Sequence, residues 1–290
     1  MFWQLLISSL VIGSVYGLIA LGYSLIYKAS GLLTFAQGDL LTLGAFLGVT
    51  FFAVLKLPFF LSLILTVGCG FLVGMAIEKF IIRRLLDRKV MIIYVVLSTI
   101  ALSYIIQNGS MLVFGTKTKY FPTIFSIPCI KLGDISIQME SLVCILVSLC
   151  CMLILHLFMS KTKLGTAMRA ASMDRIAAEA RGINVSLTTG LTWGLAAGFA
   201  ALGGMLIGPV FGVYSTLGAT IGKKASASAV AGGYGNMYGA IVGGLLLGIV
   251  ETLAAGYISS EYKDMISYII LLLFLLLRPT GIFNERALQD

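Results

Sequence analysis

The stretch LLISSLVIGSVYGLIALGYSLIY, residues 5–27, contains neither a charged side chain nor a proline. A bilayer core of ~30 Å is crossed by about 20 apolar residues in a helix, and only helices and closed barrels satisfy their backbone there. The run is continuous rather than alternating, which excludes a barrel strand. No basic segment precedes it and no small-residue cleavage site follows it, so it reads as a retained span rather than a signal peptide.

Runs of this kind recur along all 290 residues. The chain is 59% hydrophobic and 11% charged, with a mean hydropathy of +1.03, whereas soluble domains carry roughly 25% charged residues. The expected fold class is therefore an all-α polytopic membrane protein of about eight transmembrane helices. Candidate spans are roughly 5–27, 38–57, 59–79, 91–114, 137–159, 185–208, 236–256 and 262–278. No polar stretch is long enough to fold separately, so residues 1–290 are expected to form one domain. The longest polar insertions are 115–136 and 160–184. G-x-x-x-G spacing recurs, at Gly13/Gly17, Gly44/Gly48 and Gly204/Gly208 among others. Small residues one turn apart let helices approach closely in lipid, here as tight packing within one compact bundle.

The net charge of +8 does not point to nucleic acid, because the basic residues cluster at the ends of apolar runs. Lys79, Arg83, Arg84, Arg88 and Lys89 form one such cluster, and Lys161, Lys163, Arg169, Arg175 and Arg181 another. Two spans separate them, so both can share one face, which the positive-inside bias makes cytoplasmic. Loop 115–136 then faces outward. A cytoplasmic tail at Arg278 and Arg286 requires an irregular crossing over 209–235, made of short helical pieces with Lys223 and Lys224 lining a watery cavity. The alternative is an outward loop near Lys223.

No catalytic constellation is visible. The one histidine, His156 in LCCMLILHLF, suits a structural place near a helix end. GATIGKKAS, residues 218–226, has three residues between its glycines where an ATP-binding phosphate loop has four, and Lys224 stands at the hydroxyl position. The five cysteines, Cys69, Cys129, Cys144, Cys150 and Cys151, read as small buried hydrophobes, and no metal set is evident. Glu251, inside an apolar span, either bonds a neighbouring helix or serves an ion pathway.

The polar segment GTAMRAASMDRIAAEARGIN, residues 165–184, is helix-compatible from Ala167 to Arg181, with Gly165 and Gly182 permitting turns at its ends. It is either a solvated loop helix or a handle for a partner.

Three motifs give the chain a family resemblance. GLIALGYSLIYKASGLLTFAQGDLLTLGAF (17–46) resembles a first span followed by N-F-A-H-G-E. GTAMRAASMDRIAAEARGINV (165–185) resembles a permease coupling loop. AVAGGYGNMYGAIVGGLLLGIVE (229–251), with RPTGIF (278–283), completes the order. Together they resemble the branched-chain amino acid ABC transporter permease family, the LivH-type subunit. Thr34, Gln37 and Asp39 stand where that family commonly has Asn, His and Glu.

The resemblance implies a permease of the bacterial inner membrane that is not itself an enzyme. It would pair with a homologous second permease (LivM-like) or with itself, and receive solute from an extracytoplasmic solute-binding protein docking partly on loop 115–136. No cofactor is expected on this chain; two cytoplasmic ATPases would hold ATP-Mg. The implied coupling residues are Gly165, Met168, Arg169, Ala170, Asp174, Ala177, Arg181 and Gly182. The implied pathway residues are Phe35, Gln37, Asp39, Gly232, Gly233, Gly235 and Glu251. Urea or amides as the solute, and an ion-coupled carrier working through Glu251 and Lys223, are the alternatives.

Overall fold

In the computed structural model, residues 2–88, 90–122, 129–132, 135–278 and 281–283 are described. They begin with α1 (Phe2–Ser30) and α2 (Gln37–Val49), which runs on through a π-helical turn to Val54. Next, α3 (Phe59–Ile77) continues through a second π turn into α4 (Arg83–Asp87), and α5 (Ile92–Phe114) follows. A hairpin, β1 (Cys129–Leu132) and β2 (Ile135–Gln138), pairs antiparallel with Ile130 opposite Ile137. Then come α6 (Met139–Lys161), α7 (Lys163–Met173), α8 (Arg175–Ala180), α9 (Val185–Phe211), α10 (Leu217–Gly232), α11 (Met237–Tyr257) and α12 (Lys263–Leu277).

Seven helical stretches among the described residues are long and apolar enough to span a membrane: α1, α2 with its π turn, α3–α4, α5, α6, α9 and α11. The eighth expected span is α12, whose 15 residues reach about 22 Å at 1.5 Å per residue. The short hairpin is a departure from an all-helical reading, within the loop expected to lie outside. Residues 123–128 and 133–134 of that loop lie outside the described set.

Burial separates the bundle into a centre and a periphery. In α9, 72% of the apolar window is buried, against 17% in α5. The centre, α1, α2 and α9, is rich in small residues. Gly44 of α2 meets Ala201 of α9, Gly74 of α3 meets the Trp193 carbonyl, and Gly13 of α1 meets Leu245 of α11. Dispersion and close backbone approach, rather than any hydrophobic gain over lipid, hold such contacts. The periphery presents Ile64, Leu72, Ile105, Leu112, Leu153 and Leu276, side chains suited to acyl chains.

Two contacts fix which helix ends lie together. Lys119 and Val213 exchange backbone hydrogen bonds of 2.8 Å, joining the loop after α5 to the end of α9. At the other end, Arg83 Nη2 donates to the Ser186 carbonyl at 2.7 Å and pairs with Glu78 at 2.6 Å. The two basic clusters therefore meet at one end of the bundle.

The glycine-rich region 209–235 is not a string of short helical pieces. After Gly212 (φ 75°) the chain turns, runs non-helically, and enters one continuous helix, α10, of 16 residues. The cysteine expectation also needs amendment. Cys144 is buried and Cys69 and Cys151 are partly so, but Cys150 is exposed on α6; the Cys129 side chain lies outside the described set.

Candidate functional site

Loop 31–36 leads from α1 to α2, and Asp39 falls in the first turn of α2, where the helix dipole favours negative charge. Ser103 Oγ on α5 hydrogen-bonds Asp39 Oδ2, while Asp39 Oδ1 is buried with no partner. The loop is tied to α5 as well, since the Phe35 backbone N–H donates to Thr99 Oγ1 at 3.2 Å. Between α2, α5 and α10 lies a cavity of about 430 Å³, lined by Phe35, Asp39, Ile100, Ser103, Tyr104 and Lys223 among others.

The back of this cavity is bare backbone. Gly38 on α2 packs against Gly218 and Gly222 on α10, and a Cβ on Gly218 would sit 1.9 Å from the Gly38 carbonyl oxygen. Only glycine permits that approach. The N–H of Gly218, one of the unpaired donors of a helix start, is satisfied by Thr42 Oγ1 at 2.8 Å.

Of the expected pathway residues, Phe35 and Asp39 line this cavity and the others do not. Gln37 points away: fully buried, it donates through Nε2 to the Ala196 carbonyl on α9 at 2.6 Å. Positions 37 and 39 differ by roughly 200° around a helix at 3.6 residues per turn, so one residue serves packing and the other the cavity. Gly232 packs on the Gly239 backbone of α11. Gly233 and Gly235 form the turn out of α10 with φ of 106° and 92°, and the Gly235 N–H donates to Ser24 Oγ at 3.0 Å. These glycines build the α10–α11 corner.

Glu251 belongs to a buried charge cluster instead. Its Oε1 accepts from Lys224 Nζ at 2.7 Å and its Oε2 from Tyr16 Oη at 2.8 Å. Lys224 also donates to Asp264 on α12 at 2.7 Å, and Lys263 approaches Glu251 at 3.8 Å. One ammonium thus holds two carboxylates from two helices. Lys224 does not line a watery cavity, and both oxygens of the buried Glu251 bond protein groups. His156 has a structural partner, with Nδ1 and Tyr238 Oη 2.9 Å apart.

The charged elbow has its own geometry. Thr162 Oγ1 caps α7 by accepting from Gly165 N at 3.0 Å. Gly165 lies inside α7, not at its boundary, and is buried where α7 folds back on α6; a Cβ there would come 2.4 Å from the Phe158 carbonyl oxygen. The expected single helix over 167–181 is broken at Asp174, whose Oδ1 accepts from Ile176 N and Ala177 N and so starts α8. Asp174 leaves the helical region itself, as an N-cap residue does. Met168 faces inward and is buried, as are Ala171 and Ala178. Arg169, Asp174, Ala177, Arg181 and Gly182 are exposed and Ala170 partly so, and Gly182 takes φ 79°. A groove of about 670 Å³ lies between the two helices, lined by Ala167, Ala170, Asp174, Ala177 and Arg181 among others. Met173, 78% exposed, also lines it, and Ile176 in α8 is 81% exposed.

The Glu78–Arg83–Ser186 link and the Lys224 cluster escaped sequence reading, although Lys224 and Glu251 stood out as charged residues in apolar surroundings.

Residues 5–275 match the model of a family described as the branched-chain amino acid transport system permease component. The chain belongs to that family. It is 33% identical over 301 residues to the high-affinity branched-chain amino acid transport system permease protein LivH of Salmonella typhimurium, and equally to that of Escherichia coli K12. Each comparison covers 99% of this chain and 97% of the relative. The corresponding protein BraD of Pseudomonas aeruginosa is 34% identical over 306 residues, with the same coverage. Among solved structures, a chain of PsaBC from Streptococcus pneumoniae in complex with Fab has a TM-score of 0.50 at 17% identity, covering 96% of this chain and 92% of that one; this is a likeness of fold alone. The family and the spanning helices together make the protein a multi-pass permease of the bacterial inner membrane.

Proposed function

We propose that the chain forms half of the translocation pathway of an ATP-driven importer for branched-chain amino acids, and that a cytoplasmic ATPase grips it at the α7–α8 elbow. The observation that carries the coupling half of this reading is the elbow itself. It follows the end of α6, exposes Met173 and Ile176, and borders a groove that Met173 lines. Large apolar side chains exposed on a polar segment mark a protein contact, and this end of the bundle carries both basic clusters. ATP-Mg would reside on the ATPase. The permease partner is a homologous subunit or a second copy, and a solute-binding protein would approach the opposite end, where loop 115–122 meets Val213.

ATP-driven closure can switch a permease only if its two access states differ in contact free energy with the motor. The Gly165 contact joins the elbow to α6, and the Arg83–Ser186 bond ties the start of α9, into which the elbow leads, to the α3–α4 helix, so a displacement of the elbow loads spanning helices on both sides. Against the ion-coupled alternative, Glu251 is buried and both its oxygens bond Tyr16 and Lys224 within the protein.

The test is uptake of leucine by vesicles containing this chain, its partner permease, the ATPase and the binding protein. Uptake should require ATP and fall at least tenfold in Ala177→Trp, which fills the groove from an exposed position. Uptake driven by a proton or sodium gradient without ATP would refute the reading. Undiminished uptake in the variant would remove the elbow as the grip.

A further inference from the structure

We infer that the cavity between α2, α5 and α10 is a transient solute subsite that selects a zwitterion, Asp39 taking the ammonium and Lys223 the carboxylate. This rests on the reading of the chain as an amino-acid permease and specifies how the pathway recognises its cargo.

Asp39 and Lys223 carry opposite charges and line the same cavity, yet among the described residues Lys223 forms no ion pair, with Asp39 or with any other group. Asp39 has one carboxylate oxygen satisfied by Ser103 and the other buried and unpartnered. A buried polar oxygen without a partner is unfavourable and calls for a ligand, a water or a function. A neighbouring ammonium that could neutralise it is held back on α10. Lys224, the next residue, shows that this helix can saturate a lysine when its role is structural, binding two carboxylates at once. A ligand with both charges completes Asp39 and Lys223 together; a ligand with one charge leaves the other unmet.

The remaining walls fit the rest of an aliphatic amino acid. Phe35, half-exposed, with Ile100 and Tyr104 supplies apolar surface, and the glycine backbone of α2 and α10 adds no side chain that would fill the space. At about 430 Å³ the cavity falls within the ~300–1,000 Å³ of small-molecule sites. Recognition of both charged groups rejects analogues lacking either, because a missing partner leaves a polar group unpaired. Urea and simple amides, neutral throughout, would not satisfy the two ends.

The experiment uses the assembled transporter without its binding protein. Ser226, another lining residue, is changed to cysteine in a background free of other cysteines, and its alkylation by a maleimide is timed. Millimolar leucine should slow labelling at least threefold. Equal concentrations of isopentylamine, which lacks the carboxylate, or of urea should not. Adding Lys223→Met, or Asp39→Asn, should abolish protection by leucine, and Lys223→Arg should keep part of it. Equal protection by isopentylamine, or protection surviving Lys223→Met, overturns the assignment; so does the absence of any protection by leucine. Should Asp39→Asn not assemble, the Lys223 pair of variants decides alone. Because labelling needs neither ATP nor the binding protein, the subsite can fail while ATP-driven uptake stands, and the reverse.

Discussion

Lys223 and Lys224 are consecutive residues on one helix and live in opposite circumstances. Lys224 is buried, with Glu251 and Asp264 each at 2.7 Å. Lys223 is exposed in a cavity beside a half-paired aspartate. A helix turns by about 100° per residue, so neighbouring positions face different helices, and α10 uses this to be anchored on one side and open on the other. The buried side fixes α10 against α1, α11 and α12; the open side faces α2 and α5 across glycine backbone. The difference teaches that a lysine pair in an apolar chain is two separate sites, one holding the helix still and the other available for work.

The sharpest way to break that comparison is to remove the anchor. Lys224→Met leaves the buried carboxylate of Glu251 with only the more distant cation of Lys263, at 3.8 Å, and removing one partner of a buried pair costs up to about 3–5 kcal/mol. The expected result is a large drop in the thermal midpoint of the detergent-solubilised protein. The double variant Lys224→Met/Glu251→Gln should recover much of the loss, because no unpaired buried charge remains within that pair. If the single variant were as stable as the parent, α10 would not be held by this cluster.

Tyr16→Phe probes the same anchor more gently. It deletes the hydroxyl that donates to Glu251 Oε2 and leaves Lys224 in place. A hydrogen bond to a charged group contributes ~1.5–3 kcal/mol, so the midpoint should fall by less than in Lys224→Met. A fall as large as that of the lysine variant would show that α1 rather than α10 carries the cluster.

Most of the architecture could be read from residues alone, and the limits were geometric. Uncharged runs such as Leu5–Tyr27 mark helices because a bilayer allows little else, and α1, α5, α6, α9 and α11 overlap the expected spans closely. The break in the elbow was also written there: Asp174 followed by Arg-Ile-Ala-Ala is an N-cap before a helix, and it outcompeted the continuous reading. What could not be read was partner choice. Lys224 and Glu251 lie 27 residues apart and Tyr16 a further 235 from Glu251, so only helix packing brings them together. Gln37 and Asp39 looked equivalent as polar residues of one motif, and only the direction in which α2 presents each of them separates packing from cavity. The roles of Gly232, Gly233 and Gly235 were hidden for a similar reason, since a glycine that forms a corner and one that bares a pathway have the same letter.

The smallest expected effect is on the open side. Lys223→Met removes a charge that makes no ion pair among the described residues, from an exposed position. Substitutions away from buried networks change stability by about 0.5 kcal/mol or less, so the thermal midpoint should stay close to that of the parent. The same chemical change one residue later is expected to be severe, which makes the pair a controlled comparison: same helix, same residue types, opposite faces. A marked loss of stability in Lys223→Met would mean that its ammonium is already engaged in holding the bundle. The division of α10 into an anchored and a working face would then fail on its own terms, whatever the transport measurements showed.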